Sequence, residues 1–158
     1  MNETTLINAL ANAIHDDATL IAWCIDTYGH RHKVYKGIDA RKPPSPESDY
    51  PAVNISMERK KEGYSLTARE HEVIISGGLY EENLKINASE YLIEYEFVEN
   101  LIMFANYVKD AIVATDLGLL EISEYEVLYD SITFFPSIKF EMYFVFRERY
   151  YQGDNPFD

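Results

Sequence analysis

From Thr4 to Tyr28, apolar residues recur at helical spacing. Leu6, Leu10, Ala13 and Ile14 form one stripe, and Leu20, Ile21, Trp23, Cys24 and Ile25 a second. Asp16-Asp17 interrupts the pattern, with Asp17 placed to cap the second segment, Thr4 or Thr5 the first, and Gly29 to stop the pair. The spacing predicts a helical hairpin or one kinked helix. A short strand is expected over residues 32–38. Beyond a proline-rich stretch, Val53, Ile55 and Met57 alternate with Asn54, Ser56 and Glu58, the period of a strand with one buried face. Leu66 to Ser76 repeats the alternation, with His71, Val73 and Ile75 on one face. The two segments predict an antiparallel hairpin about Gly63, ended by Gly77-Gly78.

The longest helix is expected from about Ala88 to Asp116. Asn87 and Glu90 would form its capping box, and Gly118 would terminate it. Phe97, Leu101, Ala105, Val108 and Ile112 build one face, widened by Val98, Ile102 and Phe104, and a surface this wide needs a sheet to cover it. Leu119 to Tyr129 alternates loosely through Leu120, Ile122, Tyr125 and Val127. Ile138, Phe140, Met142, Phe144 and Phe146 form the cleanest strand pattern in the chain. The order predicts an α+β fold, in which an antiparallel or mixed sheet carries the N-terminal helical pair and the late helix on one face. Residues 1–151 read as one domain and residues 152–158 as a flexible polar tail.

Composition narrows the classes. A hydrophobic fraction of 47% is too high for a disordered chain. No apolar run approaches the roughly 18 residues of a membrane span. Met1-Asn2-Glu3-Thr4-Thr5 lacks the charge and apolar run of a signal peptide. A single cysteine, Cys24, fits a reducing compartment, so a cytoplasmic protein is expected. Twenty-seven acidic residues against 14 basic give a net charge of −13, which opposes direct nucleic-acid binding because counterion release needs clustered Lys and Arg. The charge points to basic protein partners, or simply to solubility.

Motifs for chemistry are sparse. There is no P-loop and no G-x-G-x-x-G, and no serine stands in a G-x-S-x-G elbow. His30 and His32, two apart on a strand, would share a face. With His71 on a neighbouring strand they are weak candidates for a zinc site, against a plain reading as polar strand-edge residues. Cys24 on an amphipathic helix reads as a packed, inert thiol. Neither a metal nor another cofactor is expected, nor enzymatic activity. Thirteen tyrosines, among them Tyr28, Tyr35, Tyr50, Tyr64, Tyr143, Tyr150 and Tyr151 near turns or the last strand, suit protein interfaces.

The order of parts carries a resemblance. An N-terminal pair ending "LIAWCIDTYG" leads through "HKVYKGIDARKPPSPESDYPAVNIS" to a hairpin, a long helix and two closing strands, the last "FFPSIKFEMYFVF". This resembles the tail-terminator (tail-completion, minor tail) proteins of phages and prophages. Tyr50-Pro51 opening a strand, Gly37-Ile38-Asp39 and Phe135-Pro136 look like matching elements. The resemblance implies a non-enzymatic assembly protein with no catalytic residues. Its copies would form a ring on the end of the tail tube, joining the tube protein to the head-tail connector protein, first in the host cytoplasm and then in the virion or a tail-like particle. Pro43, Pro44, Pro46, Tyr50 and Pro51 would form an interaction loop, held extended by its prolines. Two other readings stand beside it: an acidic inhibitor or immunity-type protein bound to a basic partner, and a small enzyme with a nonstandard site.

Overall fold

The structure, a computed structural model, describes residues 1–63, 68–81 and 86–149. Helix α1 (Glu3–Asp16) begins one step earlier than expected. Asn2, in an extended conformation, accepts the Thr5 N–H at 2.8 Å, so Asn2 rather than Thr4 or Thr5 is the cap. Asp17 caps α2 (Ala18–Tyr28) through the Leu20 N–H at 2.8 Å, and Gly29 closes it at φ 84°, a left-handed conformation glycine adopts without a Cβ clash.

Five strands form the main sheet: β1 (Lys33–Tyr35), β2 (Ala52–Lys61), β3 (Ala68–Tyr80), β6 (Glu121–Asp130) and β7 (Ser137–Arg149), in the order β1-β2-β3-β7-β6. Only β1–β2 is parallel, so the sheet is mixed. The inner face is read across the register as Ile55, Ile75, Met142 and Val127, then Met57, Val73, Phe144 and Tyr125. Helix α1 lies over β1 and β2, while α3 (Glu96–Val113) lies over β3 and β7 with α2 packed beside it. This is an α+β fold with its helices on one face of the sheet. One apolar cluster draws Leu6, Cys24, Val53, Ile75, Phe104 and Phe140 from both layers.

Two expectations about boundaries fail for identifiable reasons. Gly77-Gly78 does not end β3, which runs on to Tyr80. A Cβ at Gly77 would fall 2.2 Å from the Phe140 ring, and one at Gly78 would fall 2.8 Å from the Tyr50 ring. The glycines are places where aromatic rings lie against a continuing strand. The long helix is also shorter than its pattern. Ser89 folds residues 89–92 into a turn, donating its N–H to the Leu92 carbonyl at 2.8 Å, with its hydroxyl 3.3 Å from the Leu92 amide. That turn joins β4 (Ile86–Ala88) to β5 (Ile93–Tyr95), pairing Asn87 with Glu94 where a capping box was expected. Helix α3 then starts from Tyr95 with no side-chain cap and ends at Val113, well before Gly118.

The X-Pro bonds Tyr50-Pro51 and Phe135-Pro136 are both cis. They enter the two strands that flank the C-terminal end of β3. Ala52 pairs with Gly78 on one side, and Ser137 with Tyr80 on the other.

Candidate functional site

The histidines do not converge. His30 is exposed before β1, and His32 hydrogen-bonds the Ile14 carbonyl through Nε2 at 2.7 Å, at the end of α1. Neither lies on a strand, so they share no strand face. His71 is fully buried on β3, opposite Lys60 and Phe146. Burial lowers the pKa of His32 and of His71, which favours neutral imidazoles packed in the fold. Among the described residues no group of three His, Cys, Asp or Glu side chains is arranged to hold a metal ion. Cys24 is buried and its thiol pKa is pushed up to about 12, chiefly by desolvation, so it is a poor nucleophile at neutral pH.

The proline loop is tied to the body. Asp49 accepts the Ser45 N–H at 2.6 Å, and Lys33 Nζ stands 2.5 Å from its other oxygen. Pro43 and Pro46 are exposed, Pro44 is half-buried, and Pro51 is buried where the Lys33 N–H reaches its carbonyl at 2.9 Å. Tyr50 packs near Tyr80, with ring centroids 6.3 Å apart. Pro46 and Tyr50 form one wall of a polar cleft of about 400 Å³, with Tyr28 and Glu81 opposite. The Tyr28 hydroxyl donates to Glu81 Oε1 at 2.6 Å. Burial first, and this carboxylate second, hold its pKa far above the ordinary phenol value. A phenol kept protonated in this way can donate a hydrogen bond but cannot serve as a base. Beyond Gly77-Gly78 the chain is strand as far as Tyr80, and residues 82–85 lie outside the described residues, as do Tyr64, Tyr150, Tyr151 and the tail 152–158.

The larger feature is an apolar flank that no described element covers. Strand β6 sets Ile122, Tyr125, Val127 and Tyr129 opposite the inner residues Phe146, Phe144, Met142 and Phe140 of β7. These four β6 side chains therefore point to the helical side. Yet α3 packs mainly over β3 and β7, and although Val127 still packs against the core, Tyr125 is left 40% and Tyr129 48% exposed. The Tyr125 ring still meets Phe144, with centroids 4.9 Å apart. On α3, Val98 and Ile102 lie one turn apart and are exposed, 45% and 43%. They border a cleft of about 690 Å³ whose other wall is the β4–β5 hairpin, through Ile86, Ile93 and Tyr95. The hairpin is exposed along its length, with Tyr91 at its tip 91% accessible. Phe97 links this end of α3 to Phe135 of the β6–β7 turn, with ring centroids 5.3 Å apart.

Sequence reading placed Val98 and Ile102 in the core and missed the hairpin. The signal for the hairpin was local: Ile86 and the Ile93–Tyr95 pair bracket a serine able to close a turn. Exposed apolar area of this extent on a small protein is a mark of an interaction site.

No protein-family model matches the chain, and no curated protein matches it as a relative. No helix among the described residues is long and apolar enough to cross a membrane.

Proposed function

We propose that this chain is a non-enzymatic assembly protein of the tail-terminator kind, which self-associates into a ring on the end of a tail tube and meets the head-tail connector on its other side. One observation carries the reading: the uncovered apolar flank made by the inner face of β6, by Val98 and Ile102 of α3, and by the projecting β4–β5 hairpin. A side chain aligned with a core but left in water gains free energy when a partner covers it, at roughly 25 cal/mol per Å² of apolar area. The order of elements supports the same reading through its resemblance to tail terminators. A terminator must fold alone and then dock, and this chain keeps a closed core beside an open flank.

The test is polymerisation of the tail tube protein of the same phage in the presence of the chain, followed by electron microscopy. Tubes shortened in proportion to added protein, with density at one end, are the expected result. Unchanged tubes with no bound chain would sink the reading. A second reading, an acidic inhibitor, is favoured by Glu121, Glu124 and Glu126, which stand exposed along β6 without an ion pair to any described residue. It predicts a one-to-one complex with a basic partner and no self-association.

A further inference from the structure

The two edges of the main sheet carry opposite charge. Residues 86–130, which hold the hairpin, α3 and β6, contain ten acidic side chains and a single basic one, Lys109. Residues 31–61, which hold β1, the proline loop and β2, contain eight of the 14 basic side chains and four acidic ones. Topology turns this imbalance along the chain into an imbalance in space, because β1 and β6 are the terminal strands. Strand β1 covers β2 only over Ala52–Asn54, so the rest of β2 is itself an edge. That whole side is lined with cations: Arg31, Lys33 and Lys36 about β1, and Arg59 and Lys61 on β2. Lys33 is paired with Asp49, Lys60 with Glu3 and Glu62, and Arg31 reaches the His15 carbonyl, so the cations open to a partner are the others. Lys36 donates to Asn8, Arg59 pairs with Glu72 across one strand, and Lys61 is exposed.

Charged residues on an edge strand commonly serve to block edge-to-edge association. Opposite signs on the two edges do more. Acidic β6 repels another β6, and the basic side repels its own kind, but β6 of one copy attracts the β1–β2 side of another. We infer that the partner which covers the β6 flank is the basic β1–β2 edge of a second copy of this chain. The contact is heterologous, so repetition closes a ring or runs on as a filament. This inference rests on the assembly reading and names the surfaces it uses. With three residues in β1, the contact is made by side chains across the rim, the apolar β6 positions lying on its helical face and the ion pairs of Glu124 and Glu126 on the opposite face.

Zero-length carbodiimide cross-linking tests it, because this reagent joins an amine to a carboxylate only where the two already touch. Within one copy β6 lies four strand spacings from β1, about 19 Å, and three from β2, about 14 Å, beyond the combined reach of a lysine and a glutamate side chain. A link between Lys36 or Lys61 and Glu124 or Glu126 must therefore join two molecules. Mixing ¹⁵N-labelled and unlabelled chain confirms this by mass. Such links, weakened by salt, are the expected result. Links confined to other surfaces, or none at concentrations up to 1 mM at low salt, overturn it.

The second arm reverses each edge. Glu124→Lys with Glu126→Lys, or Lys36→Glu with Lys61→Glu, should each weaken self-association at least roughly tenfold while leaving the melting temperature near that of the parent. An equimolar mixture of the two variants should restore association, since each then offers the edge the other lacks. No recovery on mixing overturns the inference. Tube capping with these edges unlinked would leave the assembly reading standing and this inference failed, and linked edges without capping the reverse.

Discussion

Strands β3 and β6 both lie beside β7, and both run antiparallel to it, but only one is sealed. On β3 the inner residues Val73, Ile75 and Leu79 are buried to within 1%. On β6 only Val127 packs against the core, and the other inner residues, Ile122, Tyr125 and Tyr129, are each more than a third exposed. Composition does not separate them, for all are apolar or aromatic. What separates them is the reach of one helix, since α3 packs mainly on β3 and β7. Alternation thus reports which way a side chain points, and the layer above decides whether it is dry.

Substitutions can break or sharpen this comparison. Phe140→Ala empties the space between Gly77 and the Phe104 ring, whose centroid lies 5.4 Å from that of Phe140. It should cost about 3–5 kcal/mol of unfolding free energy in denaturant titrations. Gly77→Ala pushes a methyl into the same ring and should cost about 1–3 kcal/mol by the same measurement. A cost near zero would mean that the ring moves freely, and that β3 is less tightly sealed than its burial indicates. Tyr28→Phe removes the hydrogen bond to Glu81 and should cost about 1–2 kcal/mol. Least affected should be the open flank, where Tyr125→Ser and Ile102→Ser should each change stability by less than about 1 kcal/mol. Both should weaken self-association in sedimentation experiments. If Tyr125→Ser cost as much as Phe140→Ala, the β6 face would be part of the core of the isolated chain.

The same contrast explains what the sequence could tell. The two N-terminal helices, with Asp17 and Gly29 as their punctuation, were legible because caps and apolar stripes are local. Strand β7 was legible because Phe140, Phe144 and Phe146 alternate without a break. Gly77-Gly78 misled because glycine marks both turns and ring contacts, and the ring, Phe140, lies far along the chain. The start of α3 misled because Asn87 and Glu90 match a cap, while Ser89 closes a turn that gives the backbone a competing set of hydrogen bonds. The docking flank was the least legible part. Val98 and Ile102 continue the stripe of α3, yet they border the open cleft beside the β4–β5 hairpin and stay exposed. Of the expected interaction loop, Tyr50 and Pro51 are built into the sheet end, while Pro43 and Pro46 stay at the surface.

Cys24 has a practical consequence. It is the sole cysteine, and burial beside His32 leaves its thiol protonated far above neutral pH. The native chain thus offers no reactive sulfur to a maleimide. A cysteine introduced at Glu126 or Lys61 would be the one position to take up a dye, with no background to remove. A donor on one edge and an acceptor on the other, carried by separate copies, would turn each encounter between neighbours into an optical signal.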